Sequence, residues 1–236
     1  MIVYYAGADS NPKDVTDAFA EGARHFMISY YYWRKHTTVL RLLRQLGAHI
    51  MLDSGAFSAW KRGTPVNLAD YIAYVKRNQI GKYVVLDVVG DHEATDRNMA
   101  EMEAAGLYPI PVFHIGTPFA ALDRIAKRYR YVALGGTVGK PRAIREAFFD
   151  EVFARHPELY YHGLGMTVPS LMRKYPWMSV DSTTWQTGKR NAMLVTDNGQ
   201  VPLDSSLPVS ERVALNVRYF NRLEYEIKSE RYGEAS

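Results

Sequence analysis

The feature that most constrains this chain is an alternation. A short apolar run is followed by an amphipathic helical pattern, and the pair recurs until eight runs have passed. The runs lie at 2–7, 25–32, 49–53, 82–89, 109–116, 131–136, 158–165 and 177–182, with helical patterns at 11–23, 37–47, 67–78, 93–106, 118–128, 141–156 and 168–175 between them. The runs are nearly continuous in apolar residues, as in strands covered on both faces, and strand–helix alternation makes a parallel sheet. Eight such units in 236 residues predict an α/β fold: one compact (β/α)8 TIM-type barrel, with 1–236 as a single domain. A doubly wound open sheet shares this local pattern, because periodicity does not report closure. Beyond the last run, 192–203 reads as a hairpin turning at Asp197-Asn198-Gly199. Residues 207–229 read as a closing helix with Val209, Val213, Val217, Phe220 and Ile227 on one stripe, and 230–236 as a polar tail.

Composition narrows the chemistry. Apolar residues make up 47% of the chain, enough for a sizeable core. There is no cysteine, which excludes disulfides, thiolate metal sites and cysteine nucleophiles, and fits an intracellular protein. No apolar stretch is long enough to span a bilayer, and the N-terminus has no basic segment before its first apolar run, so a cytoplasmic protein without membrane contact is expected. The net charge of +4 permits a polyanionic partner without requiring one.

The stretch "MLDSGAFSAW" (51–60) ends an apolar run on a carboxylate and turns at once through Ser-Gly-Ala. A strand that only packed a core would not need Asp53 there. Similar endings recur: Asp87 in the fourth run, His114 in the fifth, His162 in the seventh, Asp181 in the eighth, and the diglycine Gly135-Gly136 in the sixth. In a barrel these ends meet at one mouth. Singly, each has an ordinary reading as a cap, a turn former or a core histidine. Together they suit chemistry at an acetal-type carbon, where one carboxylate attacks and the other protonates the leaving group. A diglycine lets a flat ligand approach the backbone, and Phe57 could stack on a ring. Lys61, Arg62, Lys140, Lys189 and Arg190 follow these strand ends and are candidate phosphate contacts. The run "YYYW" (30–33) is a candidate for base stacking.

These segments resemble motifs of the tRNA-guanine transglycosylase superfamily. "DSGAFS" (53–58) is similar to its Asp-Ser-Gly-Gly-Phe/Tyr-Gln motif and "LGGTVG" (134–139) to its Gly-Gly-Leu-Ala-Val-Gly motif. "HGLG" (162–165) and "SVDSTTW" (179–185) take the places of its Met-Gly-Val-Gly and nucleophile segments. The resemblance implies Asp181 as nucleophile on C1′ of the sugar and Asp53 as general acid/base. It implies Asp87 as reader of the amino and N1 edge, with backbone at Gly135, Gly136 and Thr137 binding the carbonyl and 7-substituent edge. Phe57 and His162 would stack on opposite faces of the base, and His114 stands where the family has a base-reading Gln. Without cysteine the chain cannot form the zinc site of the tRNA enzymes, so no cofactor is expected. The chain is short, and Ala56 and Ser58 replace the motif's second Gly and its Gln. These departures resemble the DNA-modifying branch of phages and bacterial modification islands, and imply DNA as partner and a 7-deazaguanine base such as preQ0 as small-molecule substrate. The same exchange on tRNA, an N-glycosidase using the same acid pair, a metal-dependent barrel hydrolase and a non-catalytic nucleic-acid-binding subunit remain as alternatives.

Overall fold

The computed structural model describes residues 1–8, 11–35 and 37–233. Its centre is a parallel sheet of seven strands: β1 (Ile2–Ala6), β2 (His25–Ser29), β3 (His49–Asp53), β4 (Val112–His114), β5 (Tyr131–Gly135), β6 (Tyr160–Gly163) and β7 (Ser179–Ser182), in the order β3-β2-β1-β7-β6-β5-β4. The edges β3 and β4 do not stay open. Tyr83 bridges Leu52 and Val84 bridges Ile110, both in parallel sense. Hydrogen bonds from Leu52 N to Lys82 O, Val84 N to Leu52 O, Val85 N to Ile110 O and Ile110 N to Tyr83 O carry the ladder across this seam. The fourth run, expected as a strand over 82–89, therefore supplies only two bridging residues. It leaves the ladder before Asp87 and turns into α6 (His92–Ala104).

The pairings fix the geometry of the barrel. A path from Tyr4 runs through His25 and His49 and, continued over the remaining pairings, returns to β1 eight positions toward its N-terminus. That displacement is the shear of a TIM barrel. Paired residues share a face, so the same pairings sort the axis-facing side chains into layers of four from alternate strand positions. His25, Lys82, Tyr131 and Ser179 form the lowest complete layer. Tyr4, Met51, Ile110 and His162 form the next, and Met27, Val84, Ala133 and Asp181 the one above. Ala6, Asp53, Val112 and Leu164 stand at the C-terminal end. Direct contacts agree with this sorting: the Tyr131 hydroxyl is 2.5 Å from Ser179 Oγ within one layer, and the Tyr4 and His162 rings meet edge-on at 5.9 Å within the next.

Helices cover the outside: α1 (Pro12–Ala20), α3 (Thr38–Gln45), α5 (Leu68–Arg77), α6, α7 (Phe119–Ala126), α8 (Arg142–Arg155) and α9 (Pro169–Lys174). Asn67 caps α5 by accepting from Asp70 N at 3.0 Å. Two further short helices sit at the mouth. Residues 30–32, expected to end the second strand, instead form with Trp33 a helical turn, α2 (Tyr30–Trp33), and α4 (Ala56–Lys61) follows β3 directly. After β7 a 3-10 turn and α10 (Thr187–Asn191) lead to the hairpin β8 (Met193–Thr196) and β9 (Gly199–Pro202), then to α11 (Val209–Tyr232). Val213, Val217, Phe220 and Ile227 of the expected stripe are buried, whereas Val209 lies 45% exposed at the start of the helix. Among the described residues no helix is long and apolar enough to cross a membrane.

Candidate functional site

The mouth of the barrel explains why β3 ends as it does. Asp53 Oδ2 accepts from Gly55 N at 3.0 Å, and Ser54 Oγ accepts from Ala56 N at 3.2 Å. These two local bonds reverse the chain from strand to helix. Gly55 has a φ of +76°, and a Cβ there would lie 2.3 Å from Tyr31 Cβ, so both its backbone angle and its proximity to α2 demand glycine. The turn holds the Asp53 carboxylate facing the barrel axis.

Asp181 faces the same axis from β7, in the layer immediately below Asp53. It is 7% exposed, and its Oδ1 accepts from Gly165 N at 2.8 Å. Under it lies His162, fully buried, with Nδ1 2.6 Å from Ser179 Oγ and Nε2 3.4 Å from Asp181 Oδ1. The second separation brings the ring beside the carboxylate without the alignment of a hydrogen bond. A polar column thus runs from Tyr131 through Ser179 and His162 to Asp181. This corrects the expectation for His162. It presents no ring face to the mouth and supports the carboxylate from beneath.

Across the mouth, Asp87 is held from two sides. Ser54 Oγ donates to its Oδ1 at 3.1 Å, and His114 Nε2 is 3.0 Å from its Oδ2. The His114 ring covers Gly135, where a Cβ would fall 2.6 Å from His114 Cδ2. Glycine is required here by a neighbouring side chain rather than by a backbone angle. Gly136, with φ +73°, is exposed, and Thr137 beside it is buried. The structure therefore brings Asp53, Asp87, His114, Asp181 and the diglycine to one end of the barrel.

The rim carries exposed aromatic rings with cations among them. Tyr32, Phe57 and Trp60 are 40%, 56% and 62% exposed. The Phe57 and Trp60 rings lie 6.0 Å apart, and the Arg62 guanidinium stands 5.3 Å from the Tyr32 ring and 5.8 Å from the Tyr31 ring. Lys61 and Lys140 are exposed. Lys189 is engaged elsewhere: both oxygens of Asp14 lie 2.8 Å from its Nζ, so its charge is largely neutralised. Arg190 donates to Gln186 Oε1.

Several contributors escaped the sequence reading. Ser54, Ser179, Tyr131 and Trp60 join the site through contacts made by the fold. Only Ser179 left a usable trace, because it sits two residues before Asp181 and so shares its strand face. Among the described residues, no three His, Cys, Asp or Glu side chains come together as a metal site.

Fold and site together define a (β/α)8 barrel with an acid pair and an acid–histidine pair at its C-terminal mouth. No protein-family model matches the sequence, and no curated protein does. Solved structures match over nearly the whole chain. The native structure of KDPGal aligns with a TM-score of 0.60 at 10% identity, covering 96% of each chain. A structure from Aquifex aeolicus VF5 gives 0.55 at 10% identity, covering 97% of this chain and 92% of that one. A mutant tryptophan synthase alpha-subunit from the hyperthermophile Pyrococcus furiosus gives 0.53 at 12% identity, covering 92% of this chain and 96% of that one. These likenesses establish the fold; function has to be argued from the site.

Proposed function

We propose that this protein is a pentosyltransferase that exchanges guanine in DNA for a 7-deazaguanine base of the preQ0 kind. The observation that carries the reading is the acid pair: Asp53 and Asp181 both face the axis at the mouth, one layer apart, each oriented by a backbone N–H. In this reading the Asp181 carboxylate attacks C1′ as the bond from C1′ to the base nitrogen breaks. Asp53, entering as the acid, gives its proton to the departing base, leaving a glycosyl ester on Asp181. Asp53, now a carboxylate, takes the proton from the incoming base, whose nitrogen attacks C1′ and releases Asp181. His162, packed beneath Asp181, restricts the carboxylate to one rotamer. In this reading Asp87, braced by Ser54 and His114, reads donor groups on the base edge, and the exposed backbone at Gly136 meets a planar ring.

The rim supports a polynucleotide substrate. Extruding a base costs about a few kcal/mol, and stacking of a base on an aromatic ring returns roughly 1–3 kcal/mol. Tyr32, Phe57 and Trp60 offer such rings, Arg62 stands beside Tyr32, and the exposed Lys61 and Lys140 are further cations for phosphates.

The test supplies guanine-labelled DNA or tRNA, with and without preQ0. Label leaving DNA only when preQ0 is present is the expected result. Release without added base would make the protein an N-glycosidase, and release from tRNA alone would overturn DNA as substrate. Asp181→Asn is expected to abolish a trapped covalent enzyme–DNA adduct; an undiminished adduct removes Asp181 from the nucleophile's role.

A further inference from the structure

The opposite end of the barrel carries a second set of groups, of which His25, His49, Lys82 and Arg44 have no part in the proposed reaction. In a barrel of this kind the axis is filled mainly by bulky branched apolar residues, and the N-terminal end serves stability. Here the lowest complete layer is His25, Lys82, Tyr131 and Ser179, every member polar. The His25 ring stacks on that of His49, with centroids 4.5 Å apart and planes 14° from parallel. A cavity of about 500 Å³ opens beside them, lined by Tyr4, His25, Arg44, His49, Gln79 and Lys82 among others. A smaller one of about 200 Å³ adjoins it, and Ile2, Tyr4 and Lys82 line both.

The charge of this cavity has one sign. Lys82 and Arg44 are cationic, His25 and His49 become so on protonation, and no carboxylate lines it. The Lys82 ammonium donates to the Tyr4 hydroxyl at 3.2 Å and stands 5.3 Å from the Tyr131 ring, and no carboxylate of the described residues forms an ion pair with it. Glu224 is the acid whose charge reaches His25, and its carboxylate is already engaged: Oε2 accepts from Val3 N at 2.8 Å and Oε1 from Lys228 Nζ at 2.6 Å. Stacked imidazoles cannot both charge cheaply without a counter-ion. Polar floor, uncompensated cations and open volume are together what an anion site requires.

We infer that the N-terminal end of this barrel binds a phosphate-class oxyanion, held by Lys82 with Arg44, His25 and His49. A cavity of this size falls in the range of small-ligand sites and has room for a phosphomonoester as well as free phosphate. Burial, then His49, hold the free His25 down at about 4. Glu224 opposes that shift, while Lys228 and Lys82 add to it. An anion bound against the stack raises the imidazole pKa, and affinity rises as pH falls from neutrality. The inference is independent of the reaction at the other mouth.

The test follows the histidine ring nitrogens by NMR while inorganic phosphate is titrated into the full-length protein, with chloride at matched ionic strength as control. His25→Asn and His49→Asn assign the two signals. Saturable shifts of both with phosphate and not with chloride are expected. Lys82→Gln is expected to weaken binding by about tenfold or more, and the exposed Arg44→Gln by less. A parallel titration with glycerol 3-phosphate identifies the ligand form: tighter binding than phosphate assigns the spare volume to an organic group, weaker binding assigns the site to the free ion. Equal shifts with chloride, or unchanged phosphate affinity in a folded Lys82→Gln protein, overturn the site. If Lys82→Gln fails to fold, unchanged affinity in Arg44→Gln together with His49→Asn serves the same purpose.

Discussion

At the scale of single residues, the site depends on small groups that leave space for large ones. Gly135 is the sharpest case. Replacing it with alanine sets a Cβ 2.6 Å from His114 Cδ2 and 2.9 Å from Nε2, so the ring must leave the 3.0 Å contact with Asp87. Gly135→Ala is expected to cost roughly 1–3 kcal/mol of stability through overpacking. Its effect on the proposed base exchange is expected to be larger, about a hundredfold, because displaced positioning groups act on rate. Unfolding titration and single-turnover assays separate the two, and exchange at the native rate would show that the His114–Asp87 contact is dispensable. A second residue-scale expectation concerns His156, away from the mouth. Burial lowers its pKa, but hydrogen bonds to Asp123 and Glu158, both at 2.9 Å, bring the net value above that of an ordinary histidine. Both partners are carboxylates, so only the imidazolium donates to both. A raised folded-state pKa gives stability that is complete below the unfolded value near about 6.5 and is lost as pH rises through the folded value. His156→Gln should therefore cost more stability at about pH 5.5 than at about pH 9, measured by urea midpoints; equal costs would argue against a charged His156.

Among the elements, α11 shows how burial divides an apolar stripe. Phe220 is fully buried, its ring edge-on to Tyr219 at 5.4 Å and to Tyr5 at 6.5 Å, whereas Val209 on the same predicted stripe is 45% exposed. Phe220→Ala is expected to cost about 3–5 kcal/mol, and Val209→Ser to stay within about 0.5 kcal/mol of the parent, both read from denaturant unfolding. Comparable losses would mean that the first turn of α11 is covered in solution. The element scale is also where the sequence reading was most successful. Seven helical patterns and seven strands appear where the apolar periodicity puts them, because facing within one element is a local property. Its failures lie at the mouth. Tyr30, Tyr31 and Tyr32 read as strand by β-propensity but form a helical turn, in which Tyr30 packs on Tyr71 and Tyr74 at 5.0 and 5.1 Å. Tertiary packing outweighs so weak a local preference.

At the scale of the whole molecule, the barrel is closed by its weakest pairing. Seven strands form a continuous sheet, and the circle is completed by two isolated bridges, at Tyr83 and Val84. Tyr71 braces this seam from α5, its buried hydroxyl donating to Val84 O at 2.7 Å. Tyr71→Phe is expected to cost about 1–3 kcal/mol, since a buried group loses its partner. Hydrogen exchange should quicken at Leu52, Val84, Val85 and Ile110 while Phe26 and Val132, in the continuous sheet, are little changed; uniform acceleration would mean the seam is not a separate opening unit.

Taken alone, the sequence determined the alternation of strands and helices, the carboxylates and glycines at the strand ends, and the absence of thiol chemistry, because each is written in spacing or residue type. It could not determine height along the barrel axis. That depends on the accumulated offsets of eight pairings around a closed circle, to which every strand contributes and which no single segment records. The tertiary structure alone therefore decided that Asp53 and Asp181 occupy adjacent layers facing one axis, that His162 lies beneath the acid rather than over a ligand, and that His25, Lys82, Tyr131 and Ser179 converge on the floor.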